Sequence, residues 1–119
     1  MKRLFLVLII GLLAFMACED FFDVDNTYKY EVTGTAQSVR VTISDENGGT
    51  AQHTVNVPWE YSFDKLENED FFLYLSAQNQ GADGTVTVKI YIEDKVIKET
   101  TSSGAYCIAS VNYSYKSPY

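Results

Sequence analysis

From Tyr28 onward the chain alternates apolar and polar residues with a period of two, and no other feature limits the fold as much. Tyr28, Tyr30 and Val32 alternate with Lys29, Glu31 and Thr33. Val39, Val41 and Ile43 alternate with Arg40, Thr42 and Ser44. The same rhythm runs through Ala51, His53, Val55 and Val57, then Trp59, Tyr61 and Phe63, then Phe71, Leu73, Leu75 and Ala77. It resumes at Val86, Val88, Ile90 and Ile92, touches Val96, and ends in a longer, less regular run from Ala105 to Tyr115. Successive side chains of an extended strand point to opposite faces, so this pattern describes strands with one buried face. Abundant Val, Ile, Thr and Tyr suit a pleated surface of that kind.

Turn residues separate the runs. Thr33-Gly34, Asp45 to Gly49, Gln80 to Gly84, Glu93-Asp94-Lys95 and Ser102-Ser103-Gly104 each supply Gly, Asn, Asp or Ser where the chain must reverse. Pro58 interrupts an alternating stretch and belongs at a strand edge or a bend. Only Lys65 to Asp70 offers room for a helical turn. The expected fold is all-β: an antiparallel, immunoglobulin-like β-sandwich of seven or eight strands over residues 28–119.

The amino terminus is of another kind. Lys2 and Arg3 precede an uncharged apolar run from Leu4 to Met16, and Ala17-Cys18 then meets Glu19-Asp20. Thirteen apolar residues fall short of the roughly 20 that a bilayer span needs. Their length and flanks fit a secretory signal. A small residue directly before a cysteine at the end of such a run resembles the lipobox of bacterial lipoproteins. Residues 1–17 then form the signal peptide, Cys18 is the lipid-attachment residue, and 18–27 form an acidic tether. Two competing readings are a cut by the general signal peptidase, for which Phe15 is a poor fit, and an uncleaved anchor, for which the run is short. Acyl chains at Cys18 would make the membrane a partner, since two or more hold a protein durably. Acidic residues after such a cysteine resemble the surface-export signal of Bacteroidota lipoproteins. The expected location is the cell envelope, lipid-anchored at the outer membrane, with the face undetermined.

The chain carries 16 acidic and 9 basic residues. Without Lys2 and Arg3 its net charge is about −9, which repels phosphate backbones and excludes nucleic acid as a natural partner. Cys107 is left without an intramolecular partner if Cys18 is acylated, and its apolar neighbours suggest a buried, inert thiol. His53 is the sole histidine, with no orienting partner in its local sequence. Asp45, Glu46 and Asn47 read as a turn rather than a calcium loop, because Gly49 stands at the fifth ligand position. Glu67, Glu69 and Asp70 read as a solvated loop rather than an acid–base pair. Zinc-type clusters of Cys and His are absent from the sequence. Nine tyrosines and seven phenylalanines, with Tyr106, Tyr113, Tyr115 and Tyr119 crowding the carboxyl end, serve either a core or a binding surface. The sequence thus suggests no catalytic residue, cofactor, metal or small-molecule substrate, and the expected protein is not an enzyme.

The order of motifs resembles the MmpS family of small envelope accessory proteins, in a Bacteroidota-type lipoprotein form. Tyr30 to Gly34, Val57-Pro58-Trp59, Leu75 to Asn79, Val86 to Val96 and Ser102-Ser103-Gly104 carry the likeness. The resemblance implies a sandwich outside the cytoplasmic membrane that supports a transporter or another envelope component. The chain departs from that family in its lipidated anchor and at Val88, where the resemblance implies a disulfide cysteine. The alternative function is a surface-exposed module that recognises glycan or host protein.

Overall fold

The computed structural model describes residues 25–118. The signal peptide, Cys18 and Tyr119 lie outside the described residues. Eight strands follow in order: β1 (Asp25–Thr33), β2 (Ser38–Ser44), β3 (Thr50–Asn56), β4 (Trp59–Leu66), β5 (Phe71–Asn79), β6 (Thr85–Ile92), β7 (Lys95–Ser103) and β8 (Ile108–Tyr115). Sheet 1 has the order β4-β1-β6-β7 and sheet 2 the order β3-β2-β5-β8. All pairings are antiparallel. The described residues form an antiparallel, immunoglobulin-like β-sandwich of eight strands, as the alternation predicts. It shares the two-sheet layering of immunoglobulin domains with a strand order of its own.

The inward residues of the alternation make the core. Tyr28, Tyr30, Val32, Val86, Val88 and Ile90 come from sheet 1; Val39, Val41, Leu75 and Ala77 meet them from sheet 2, all fully buried. Val88 therefore fills a core position opposite Val32. Phe63 stacks on Tyr28 at 5.8 Å, and Phe71 meets the same ring edge-on at 5.4 Å. Such pairs contribute about 0.5–1.5 kcal/mol beyond the area they bury.

Two core tyrosines bury a hydroxyl, which must find a partner. Tyr30 donates to the Ser44 carbonyl at 2.7 Å, and Tyr28 donates to the Glu67 carboxylate. Burial pushes the Tyr30 hydroxyl up to about 12. Burial, then the Glu67 carboxylate, raises Tyr28 further. On the surface, the Glu31 carboxylate that accepts from Tyr91 pushes that hydroxyl up to about 12. Each group keeps its proton in the folded chain beyond the pH at which it loses it unfolded. Their stabilising contribution is complete below pH 10 and declines as pH rises from there toward 12. Alkaline titration followed by tyrosinate absorbance should therefore show fewer than nine tyrosines ionising near pH 11, with the remainder appearing on unfolding in denaturant.

Several boundaries differ from the expectation, each for a physical reason. β1 starts at Asp25, so the last three residues of the acidic tether are strand, paired with Leu66, Lys65 and Asp64. Backbone pairing does not require apolar side chains there. The segment with room for a helical turn, Lys65 to Asp70, forms none: Lys65 and Leu66 extend β4, and a bend leads into β5. β7 runs to Ser103, well past Val96, although only Ile97 of its residues packs on the core. Its ladder with β6 holds it at the sheet edge. The last run becomes a strand only at Ile108, because Tyr106 turns the backbone at φ 53°. Cys107 is partly exposed rather than buried, though it packs against the core.

The five connections between sheets close two poles. At the distal pole the loops at 34–37, 80–84 and 104–107 meet. Asn79 sits at their centre, fully buried. Its amide nitrogen donates to the carbonyls of Asp83 (2.8 Å) and Gly104 (3.1 Å), and its oxygen accepts from the Gly81 N–H (2.8 Å). The proximal pole holds Asp25, the β2–β3 and β4–β5 connections and the end of β8.

Candidate binding face

The outer faces of the two sheets differ in chemistry. Strand register places the outward residues of sheet 2 in rows. One row reads Thr54, Arg40, Gln78, Ile108, and the next reads Gln52, Thr42, Ser76, Ser110. Tyr74 and Asn112 form part of a third row, and Phe72 and Ser114 part of a fourth. Arg40 is the only charge among them. The rest are hydroxyls, amides and apolar groups. Phe72 and Ile108 are 53% and 56% exposed, high for large apolar side chains.

Sheet 1 presents the opposite. Glu60, Glu31, Lys89 and Glu99 form a continuous charged row. Lys29 lies over the Tyr91 ring at 4.3 Å, and Lys89 reaches Glu99 at 3.9 Å. With three carboxylates to one ammonium, the row keeps a net negative charge and favours water. A near-neutral plane on a strongly acidic domain is where an uncharged partner loses least hydration and meets least repulsion.

The residues singled out in the sequence mostly hold structure. Asp45 caps its own turn, accepting from the N–H groups of Asn47 (2.9 Å) and Gly49 (2.8 Å). Glu46 accepts from Tyr61 at 2.7 Å, and Glu67 accepts from Tyr28. Asp70 accepts from the Ser117 N–H at 2.8 Å and from Lys116 at 3.2 Å; these two bonds hold its carboxyl below the usual range. A cleft of about 470 Å³ at the proximal pole brings the two acidic segments together, with Asp45, Asn47, Glu69 and Asp70 on its walls beside Lys65 and Phe72. Among the described residues, no three His, Cys, Asp or Glu side chains cluster to hold a metal ion. His53 is exposed on edge strand β3 and is not among the residues that line that cleft, with its ring 6.1 Å from Trp59. Tyr113 packs against the core, and Phe71 stacks on Tyr115 at 4.9 Å. Tyr106 is exposed. The carboxyl-end tyrosines thus divide between interior and surface.

The neutral face escaped the sequence reading. Its residues were visible as the polar partners of each alternation, but which strands share a sheet was not.

No family model and no curated protein matches the chain. Among solved structures, it is similar to the crystal structure of a domain of unknown function, DUF4425, from Bacteroides vulgatus ATCC 8482. The likeness has a TM-score of 0.41 and 14% sequence identity, over 77% of this chain and 96% of that one. It is too remote to bear on function, and none of these comparisons touches the resemblance to the MmpS family.

Proposed function

We propose that this chain is a non-enzymatic, lipid-anchored envelope protein that acts by contact, with acyl chains at Cys18 as its tether and the outer face of sheet 2 as its working surface. The observation that carries the contact role is the near-absence of charge on that face in a chain of net charge −7. The anchor rests on the apolar run from Leu4 to Met16 and the cysteine that ends its flank. An MmpS-like accessory role, supporting a transporter or another envelope component, fits both features. Recognition of a neutral glycan or host protein by the same face is the second reading. It draws on Phe72, an exposed ring among hydroxyls and amides.

Six residues lie between Cys18 and Asp25, so the two are at most about 25 Å apart along extended chain. The tether therefore keeps the proximal pole toward the bilayer and leaves the flank of sheet 2 open to neighbours. Cys18→Ser should abolish incorporation of labelled palmitate and release the protein from membranes into the soluble fraction. A variant that stays with the membrane after salt washing contradicts the anchor.

A further inference from the structure

Four strands end a sheet: β4 and β7 in sheet 1, β3 and β8 in sheet 2. An edge strand presents a row of unpaired N–H and C=O groups ready to pair with another chain, and proteins guard such rows with charges or bulges. β4 carries Glu60, Asp64 and Lys65. β7 carries Lys95, Lys98 and Glu99, and a bulge breaks its register opposite Ile90 and Tyr91. β8 has no such guard. Its eight residues, Ile108 to Tyr115, include no charge, proline or glycine, and neither does its neighbour β5. β3 is also uncharged, but it displays no large exposed apolar side chain, and its His53 lies against Trp59.

We propose that β8 pairs antiparallel with β8 of a second copy of this chain, across a two-fold axis through Val111, joining two copies of sheet 2 into one eight-stranded sheet. Charge selects the occupant. Copies of an acidic domain repel over most of their surface, and the β5–β8 strip is an uncharged edge with exposed apolar groups where two of them can approach.

The two exposed apolar residues select the register. Centring on Val111 sets Ala109 opposite Tyr113, Ser110 opposite Asn112 and Ile108 opposite Ser114 of the other copy. Within one copy, Ser114 already pairs with Phe72. Ile108 of the second copy then falls in the row of Phe72, with only the small Ser114 between them, and the same happens on the other side of the axis. Both exposed side chains, otherwise at opposite ends of the strip, gain an apolar neighbour. Centring one residue later would set Ile108 against Lys116 instead. The contact is isologous and closed, so it ends at a dimer. It does not depend on lipid at Cys18.

The test is disulfide trapping of the full-length chain in its membrane. Directly opposed residues have Cβ atoms about 4.5–5.5 Å apart, near the reach of a disulfide. Chains carrying Ser110→Cys and Asn112→Cys together should oxidise largely to a reducible dimer. Either substitution alone, or the natural Cys18 and Cys107, should yield at least tenfold less. Ser110→Lys with Asn112→Lys sets like charges against each other. It should lower the sedimenting mass of the purified full chain from two copies to one while the melting curve stays cooperative. Equal trapping by the single and double variants, trapping only to a different protein, or a natural chain that sediments as a monomer at every concentration would each overturn the proposal. Should the lysine variant fail to fold, the trapping result decides alone.

Discussion

Asn79→Ala is expected to destabilise the domain by about 2–4 kcal/mol, because it removes a fully buried amide together with its three hydrogen bonds to the surrounding loops, each contributing about 0.5–1.5 kcal/mol. The Gly81 N–H and the carbonyls of Asp83 and Gly104 have Asn79 as the shared partner that ties their loops together. For a domain of this size the loss corresponds to a fall in Tm of roughly 10–25 °C. Thermal unfolding followed by circular dichroism measures it directly. Asn79→Asp separates hydrogen bonding from shape. The ionised carboxylate faces two carbonyl oxygens with no proton to donate, so this variant should be as unstable as the alanine form at neutral pH. It should recover part of the loss on acidification, when one oxygen regains a proton. A fall in Tm under 5 °C for Asn79→Ala would mean that water replaces the amide and that the distal pole is not held from its centre.

Gly34→Ala is the second large effect, about 3–5 kcal/mol from steric overpacking and backbone strain together. Gly34 sits at φ 131°, and a Cβ there would lie 2.2 Å from the Thr85 carbonyl oxygen. That oxygen accepts from the N–H groups of Thr35 and Ala36, both at 3.1 Å, so moving it away breaks the bonds that close the β1–β2 crossover. Gly48→Ala is the control. Gly48 also has a positive φ, 88°, but a Cβ there meets nothing within 4 Å, so only strain of about 1–2 kcal/mol is expected. Denaturant unfolding of the two variants side by side checks the contrast. Equal losses would show that the close approach to Thr85 does not constrain the fold.

These two positions also mark how far the sequence could be read. Gly34 was legible as a turn residue, since it ends the Tyr28-Tyr30-Val32 alternation. The backbone it touches, 51 positions later, was not. Asn79 closes an alternating strand and looks like one more polar residue until topology brings residues 83 and 104 around it. The core was legible because burial of one strand face needs only a period of two. Most of its predicted members pack, from Tyr28 to Val111, while His53, Val96 and Ile108 are exposed. β7 was hidden because an edge strand beyond the core needs hydrogen bonds rather than apolar residues, and backbone hydrogen bonding leaves no mark in side-chain order. The candidate face was hidden for a related reason. Thr42, Ser76 and Ser110 lie in three separate segments, and only the β2-β5-β8 order makes them a surface.

The claim that sheet 2 is the working surface rests on opposite chemistry over the two outer faces, and two aromatic positions test it in the same experiment. Phe72 and Tyr91 each project outward, one from the neutral face and one from the charged face. A photoreactive phenylalanine analogue placed at either site in the full-length chain reports its neighbours in intact cells. The account predicts strong adducts from position 72, to a second copy or to an envelope component, and background levels from position 91. Adducts from position 91 alone, or of equal strength from both, would contradict it.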